Sequence, residues 1–278
     1  MTNFLFWNLA GKDLTKRIRR IADCHQVDIV VLAESDSSDD DILLALNDKP
    51  QPDFYVAPGL ACEKIRVFTR FDPSFLVLVH ETDDLSIRML SLPGAMDVLV
   101  AAVHMPSKRE WDDKSQEFQC TALAQEIEYA ENTVGHSRTL LLGDLNMNPF
   151  EPGMVAAAGL HGVMTRELAK RFSRRVKSRS YKFFYNPMWG FFGDKEDHPP
   201  GTHYYGKSVQ KVFFWNIFDQ VLVRPDLLSR FDVRSLAILD NDGIDSLVDR
   251  RGKPDKKKAS DHLPIKFGLN LMMKGSIE

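Results

Sequence analysis

Cysteine is scarce: Cys24, Cys62 and Cys120 are three widely spaced thiols in 278 residues. Their odd number and spacing exclude a disulfide framework and a cysteine-based zinc site, and they fit reduced thiols in a cytoplasmic protein. No apolar run approaches the roughly 18 residues that a membrane helix needs. The N-terminal "MTNFLFWN" has no basic region ahead of an apolar core, so it reads as a first strand and not as a secretory leader. A net charge of −3 gives no global attraction to polyanions. Repeats, linkers and low-complexity tracts are also missing, which implies one domain over residues 1–278. With 44% hydrophobic and 27% charged residues, a chain of this length builds a core without covalent staples.

What is present alternates between strand and helix patterns. "NFLFWNL" and "DIVVLAES" read as strands, separated by "LTKRIRRIADCHQ", whose Leu14, Ile18 and Ile21 share one helical face. Asp39 to Asp41 precede "ILLALN" as acids do at a helix start. Runs without helical spacing follow, "DFYVAPG", "KIRVFTRF" and "SFLVLVHE", and then "LSIRMLSL" and "MDVLVAAVHM" flank "PGA" as a hairpin. One long helix is expected over "REWDDKSQEFQCTALAQEIEYAENTV", and a short one over "EPGMVAAAGL". From Arg179 to Trp215 the pattern dissolves into aromatic, Gly- and Pro-rich sequence expected to form long loops. "NIFDQVLV", "FDVRSLAIL" and "LPIKFGLNLMM" close the chain as strands. The expected fold is α/β, with two sheets and outer helices.

The strand ends carry the chemistry. Asn8 follows "FLFW", Glu34 follows "IVVLA", His104 follows "LVAAV", and Asp219 follows "NIF". In "TLLLGDLNMNP", Gly143 breaks a buried run, and Asp144 and Asn146 follow two apart, the spacing that puts both on one side of extended chain. Asp261 and His262 precede the last strand in "SDHLPI". Singly, such residues are turn, cap or structural groups. On one rim of a sheet they surround one cavity, and polar groups leaving buried strands need a polar partner there.

That set suits phosphoester hydrolysis. Carboxylate and amide oxygens without cysteine are hard donors, right for Mg²⁺ or Mn²⁺, and Glu34 with Asp261 can supply the one or two carboxylates that hydrated Mg²⁺ takes. Asp144 can activate or orient water, and Asn146 and Asn8 can face phosphate or metal-bound water. A protonated His262 can stabilise non-bridging oxygens, with Asp219 fixing its tautomer and raising its pKa.

In chain order, "WN" at Trp7-Asn8, Glu34, His104, "GDLN" at Gly143 to Asn146, "FDQVLV" at Asp219 and "SDH" at Ser260 to His262 resemble the endonuclease/exonuclease/phosphatase superfamily, the fold of pancreatic deoxyribonuclease and exonuclease III. The resemblance implies a four-layer α/β sandwich of two facing mixed β-sheets flanked by helices, with the site across one rim. It implies a metal site at Glu34 with Asn8 and Asp261 nearby, and Asp144 and Asn146 acting at water and phosphate. It also implies an Asp219–His262 pair and His104 near the leaving group or phosphate. "AVHMPS" departs from the Tyr-x-Pro-Asn motif of abasic-site endonucleases, and "GDLNMNP" from the Asn-Tyr-Arg continuation of inositol polyphosphate 5-phosphatases. "VLAES" lacks the glutamine that often precedes the family glutamate, and an export signal like that of secreted sphingomyelinases is missing.

Substrate cues are local. Between Arg166 and Lys182 there are eight basic residues and one acid, and Arg250, Arg251, Lys253 and Lys256 to Lys258 form a second cluster. Either solvated surfaces or phosphate contacts account for them. Arg66, Arg174 and Arg175 are the candidate phosphate contacts, and Trp189, Tyr204 and Trp215 the candidate stacking surfaces. Phe191, Phe192 and Tyr205 belong with those aromatics, which otherwise form a satellite core under a loop. His198 and His203 read as parts of a substrate-facing loop, not metal ligands. Three functions stay open: a divalent-metal nuclease on DNA or RNA, a phosphodiesterase or phosphatase on a small molecule, nucleotide or lipid headgroup, and a non-catalytic binding module.

Overall fold

The computed structural model describes residues 1–49, 53–108, 112–193, 198–208 and 210–272. Its strands are β1 (Thr2–Asn8), β2 (Ile29–Ala33), β3 (Tyr55–Val56), β4 (Ile65–Thr69), β5 (Leu76–Glu81), β6 (Leu85–Leu90), β7 (Val98–His104), β8 (Thr139–Asp144) and β9 (Gly162–Val163). They continue as β10 (Ser173–Val176), β11 (Arg179–Lys182), β12 (Phe184–Tyr185), β13 (His203–Tyr205), β14 (Phe214–Asn216), β15 (Asp219–Val223), β16 (Phe231–Ile238) and β17 (Ile265–Leu269). The helices are α1 (Thr15–Cys24), α2 (Asp39–Leu46), α3 (Asp113–Val134), α4 (Pro152–Val155) and α5 (Arg166–Ala169).

Two mixed sheets dominate. One has six strands in the order β16-β17-β1-β2-β4-β3, and the other seven in the order β5-β6-β7-β8-β15-β12-β9. β1 with β2 and β7 with β8 run parallel, and β17, β4 and β15 pair antiparallel beside them. The period of two in β8 sorts its leucines: Leu140 and Leu142 enter the core between the sheets, while Leu141 faces Leu123, Ile127 and Ala130 of α3. Each leucine is fully buried, as expected of a strand covered on both sides. Ile18, Ile21 and Ala22 of α1 and Ile42 and Leu46 of α2 pack with the six-stranded sheet. The arrangement is the expected α/β sandwich, sheets inside and helices outside.

Several local expectations change. The long helix begins at Asp113, capped by the Asp112 side chain on the Ser115 N–H (2.8 Å), and the earlier part of that expected helix, 109–111, lies outside the described residues. The helix of "EPGMVAAAGL" is a single turn, because Ala156 is extended. The stretch from Arg179 to Trp215 holds β11, β12, a 3₁₀ segment at Pro187–Phe191 and the antiparallel pair β13–β14. Gly143 does not break the strand. It stays inside β8 at φ +153°, where a Cβ would fall 1.9 Å from the Val103 carbonyl oxygen of β7. β8 therefore runs on to Asp144, and the chain turns only afterwards.

Candidate active site

The topology delivers the strand-end residues to one place. Parallel β1 and β2 end at Asn8 and just before Glu34, and β17, antiparallel to β1, starts just after His262. In the other sheet β7 and β8 end at His104 and Asp144, which are paired, and β15 starts at Asp219 opposite Asp144. The two rims meet: Asn8 Nδ2 donates to Glu34 Oε1 (3.0 Å) on its own sheet and to Asp144 Oδ2 (2.9 Å) on the facing one.

Asp144 and Asn146 come together by a turn, not by strand alternation. Asn146 has φ +49°, and its N–H donates to Asp144 Oδ1 at 2.8 Å. Asparagine tolerates this left-handed conformation. Its Nδ2 donates to the Met105 carbonyl (2.8 Å), which fixes the side chain and leaves Oδ1 and one N–H for a ligand. Glu34 also sits at positive φ (+48°), strain that a non-glycine residue keeps where surrounding structure enforces it.

Buried charge dominates the rim. His262 Nδ1 lies 2.8 Å from Asp219 Oδ2 and 3.8 Å from Asp144 Oδ2. Burial opposes its protonation, but Asp219 and then Asp144 outweigh burial and push His262 up to about 10. Burial pushes the Asp144 carboxyl up, against the attraction of His262, and Asp219 adds to the rise. His104 Nε2 contacts Glu34 Oε1 at 2.9 Å. That hydrogen bond is the main cause, against desolvation, that lowers Glu34 to about 2. Burial again opposes the His104 cation, and Glu34 and Asp144 overcome it.

The motifs are tied to one another. The Trp7 indole N–H donates to the His262 carbonyl (2.9 Å). The Ser260 hydroxyl donates to the Asn8 carbonyl (2.6 Å) and accepts the His262 N–H (3.0 Å). Thr202, fully buried, accepts the N–H groups of Phe218 and Asp219 on its hydroxyl (3.1 and 3.2 Å). No sequence signal marks Thr202. His203 follows it, stacked on Phe218, with its ring centre 4.8 Å from that of His262. The "PPGTHYY" loop thus reaches the site through His203, while His198 packs on Phe191.

Two groups of ligand-type atoms converge within 4.8 Å among the described residues: Glu34, His104 and Asp144, and Asp144, Asp219 and His262. Asp261 belongs to neither, although it is half-buried and its charge acts on His262. Asn8 presents its amide nitrogen to this rim. Its Oδ1 accepts the Ala10 N–H (2.9 Å), and its amide nitrogen donates to the Glu34 and Asp144 carboxylates. Three carboxylates, Glu34, Asp144 and Asp219, share this rim, and their oxygens are the donor class of Mg²⁺ and Mn²⁺.

The substrate candidates divide. Arg66 lies on β4 one residue past the rung that pairs Ile65 with Ala33, hence at the rim, 3.7 Å from Asp39. Tyr204 faces Trp215 across β13–β14 (ring centres 5.4 Å), and Lys253 of the second basic cluster sits 3.7 Å above the Tyr204 ring. Trp189 packs with Phe150 and Phe192 (6.3 and 6.0 Å), and Phe150 and Phe213, in edge contact with each other, are partly exposed. Arg174 and Arg175 are not brought to the rim. Their ribbon, β10–β11, is anchored where Lys182 meets Glu131 and Ser137, next to Thr139 at the opposite end of β8. All three cysteines are free, and no described helix is long and apolar enough to cross a membrane.

Comparison with known proteins places this geometry. Solved structures that match include the human Nocturnin catalytic domain with bound sulfate (TM-score 0.60, 14% identity, 97% of this chain and 94% of that one). Others are truncated Caenorhabditis elegans TDP2 (0.55, 17%, 96% of each chain) and the endonuclease domain of TRAS1, a telomere-specific non-LTR retrotransposon (0.54, 12%, 98% and 99%). At these identities the likeness shows the fold. No curated protein sequence matches the chain. The profile described as Endonuclease/Exonuclease/phosphatase family matches residues 5–262, and the chain belongs to that family, whose members are generally phosphoester hydrolases.

Proposed function

We propose that the chain is a divalent-metal-dependent phosphodiesterase that cleaves nucleic acid by attack of an activated water. The observation that carries this reading is the meeting of both rims at Asn8, which bonds Glu34 and Asp144 together, with Asp144 Oδ2 3.8 Å from the buried His262. Mg²⁺ or Mn²⁺ would be held by Glu34 with Asp144 beside it, and when bound it supplies Lewis-acid charge stabilisation on the phosphate.

Asp144, buried and with a raised pKa, is suited to take a proton from water as its oxygen bonds to phosphorus. The His262 cation, held by Asp219, donates to a non-bridging oxygen as charge builds there. Asn146 offers its second amide N–H to the same phosphate or accepts from the water through Oδ1. His104, facing Glu34, lies where a protonated imidazole can give its proton to the departing oxygen as the P–O bond breaks. Asp261 remains a candidate through its charge on His262. A polyanionic substrate is favoured by Arg66 at this rim, by Lys253 over Tyr204 and by the exposed Lys256 to Lys258 that lead into Ser260, with Tyr204, Trp215 and Trp189 as stacking surfaces. A solved D. rerio TDP2 with single-strand DNA product has the same fold (TM-score 0.53, 16% identity, 97% of this chain and 98% of that one).

The test is Mg²⁺- and Mn²⁺-dependent hydrolysis of plasmid, linear duplex, single-stranded DNA, RNA and an aryl phosphodiester, each beside His262→Ala protein. Polymer cleavage that falls by several decades in the variant supports the nuclease. Turnover of the small ester alone transfers the site to a small-molecule or lipid phosphoester, and no turnover restores the binding module.

A further inference from the structure

One of the two basic clusters of the chain lies away from the rim. β10 and β11 form a two-stranded ribbon outside both large sheets and exposed along most of its length. Its register pairs Arg174 with Tyr181, Arg175 with Ser180 and Val176 with Arg179, and Lys177 turns the tip at φ +54°. A lone two-stranded ribbon is marginal in water, and β11 is tied to α3 at both ends, by Lys182 at the base and Arg179 beside the tip. Arg179 pairs with Glu128 of α3 (3.2 Å) and Lys182 with Glu131 (2.9 Å).

Those ties sort the cations. Arg166 is committed to the Leu228 and Phe231 carbonyls and Lys170 to Glu167. A cavity of about 60 Å³ between α3 and β11 is lined by Arg179, Lys182 and Arg224, all already facing Glu128 or Glu131. Arg171, Arg174, Arg175 and Lys177 are exposed and make no ion pair among the described residues. Arg171 still feels the Glu167 carboxylate, but the surplus is positive; like charges repel one another, and a polyanion offsets that repulsion.

The shape favours one polyanion. Successive strand residues point to opposite faces, so Arg174 and Arg175 charge both faces of the ribbon, with Lys177 at its tip. A membrane meets a ribbon on one face. A nucleic acid groove has phosphate rows on both walls, and the B-form major groove, about 12 Å wide, admits a two-stranded ribbon. We propose that β10–β11 is a second anchor for duplex nucleic acid, separate from the hydrolytic rim, gripping phosphates on both groove walls through Arg171, Arg174, Arg175 and Lys177. This rests on the nuclease reading and adds a length requirement. The six residues of β8 separate the two ends of the sheet by roughly 17 Å, so a substrate engaged at both is a polymer of about five or more phosphates at ~3.4 Å each.

The experiment is fluorescence anisotropy of a labelled duplex of about 20 base pairs in EDTA, where turnover plays no part. Wild-type protein is compared with the combined variant Arg171→Gln, Arg174→Gln, Arg175→Gln, Lys177→Gln, whose folding is checked by circular dichroism. The expected result is duplex binding by wild type, with the slope of log K against log salt shallower in the variant by up to about 3.6 (four phosphates at ~0.9 each). Equal affinity and slope in the folded variant would overturn the anchor. So would wild-type protein that ignores duplex and sediments with phosphatidylserine vesicles through these residues. Mg²⁺-dependent cleavage of the same duplex, with His262→Ala as control, reads the rim separately. Cleavage without the slope change sinks only the ribbon, and the slope change without cleavage sinks only the nuclease.

Discussion

Replacing Asp219 by asparagine keeps the side chain's size and removes one charge from the closest buried pair of the rim. His262 Nδ1 lies 2.8 Å from Asp219 Oδ2, and both side chains are buried. Burial drives the imidazolium to shed its proton, and the two aspartates together hold it at about 10. At 2.8 Å and an effective dielectric constant of about 20, the lost attraction is about 6 kcal/mol, or on the order of four pH units at ~1.36 kcal/mol each. Asp144, 3.8 Å away, remains. The proposed role needs the cation, so this limb of the wild-type pH–rate profile stays flat as pH rises until near 10. In Asp219→Asn the limb moves to about pH 6, and kcat/KM falls tenfold per pH unit above it, about 100-fold at pH 8, returning on acidification. Folding follows the same sign. The raised His262 pKa stabilises the native state fully below about pH 6.5 and is lost as pH climbs through about 10. The variant's thermal midpoint therefore loses that alkaline slope. The assay is kcat/KM on an aryl phosphodiester from pH 5 to 9.5, with melting curves across the same range. A loss independent of pH, or no loss, would refute the cationic role of His262.

Three further perturbations separate site from scaffold. Gly143→Ala puts a methyl 1.9 Å from the Val103 carbonyl, one rung before His104 and Asp144. A cost of about 3 kcal/mol, against ~2.1 cal/mol/K per residue over 278 residues, lowers the calorimetric Tm by about 5 °C, and an unchanged Tm would contradict the close approach. Asn8→Ala removes the donor shared by Glu34 and Asp144 and should lower kcat/KM by about 100-fold through their misplacement; activity within threefold of wild type would deny Asn8 a positioning role. Glu131→Gln strips buried Arg224 of its counter-charge, a destabilisation of about 3–5 kcal/mol in urea, while kcat of the folded variant holds because Glu131 lies at the far end of β8. Burial opposes ionisation of Glu131, yet Arg224 and Lys182 depress its pKa. The difference between wild type and variant is thus present above about pH 4.3 and disappears as acid titrates the folded carboxylate.

The strand ends were legible because buried strands are. Phe4 to Trp7, Ile29 to Ala33 and Leu140 to Leu142 are apolar on both faces, and a polar residue closing such a run is conspicuous in a bare sequence. Whether those ends meet depends on sheet order, which carries no local signal. β8 neighbours β15 and β7, and β1 neighbours β17 and β2, through connections of up to more than two hundred residues. Chain order matched to a known family supplied that step. The errors fall where backbone geometry, not residue type, decides. Gly143 looks like a breaker until the Val103 carbonyl beside it is seen, and the spacing of Asp144 and Asn146 looks like strand alternation until φ +49° turns the chain between them. Thr202 was invisible because its contribution is a buried hydroxyl receiving two N–H groups from residues sixteen and seventeen positions away.

Arg174 and Arg175 show the same limit at the scale of the whole molecule. Their charge was plain in the sequence, but charge has no address until the chain folds. Lys182 and Arg179 pin the ribbon to α3 near Glu131 and Glu128, while the exposed lysines before Ser260 stay at the rim because Ser260 bonds the Asn8 carbonyl as the chain enters β17. Two basic clusters of similar composition therefore end on opposite ends of the sandwich. A substrate that uses both has to be long, which links the identity of the ligand to the topology of the sheets.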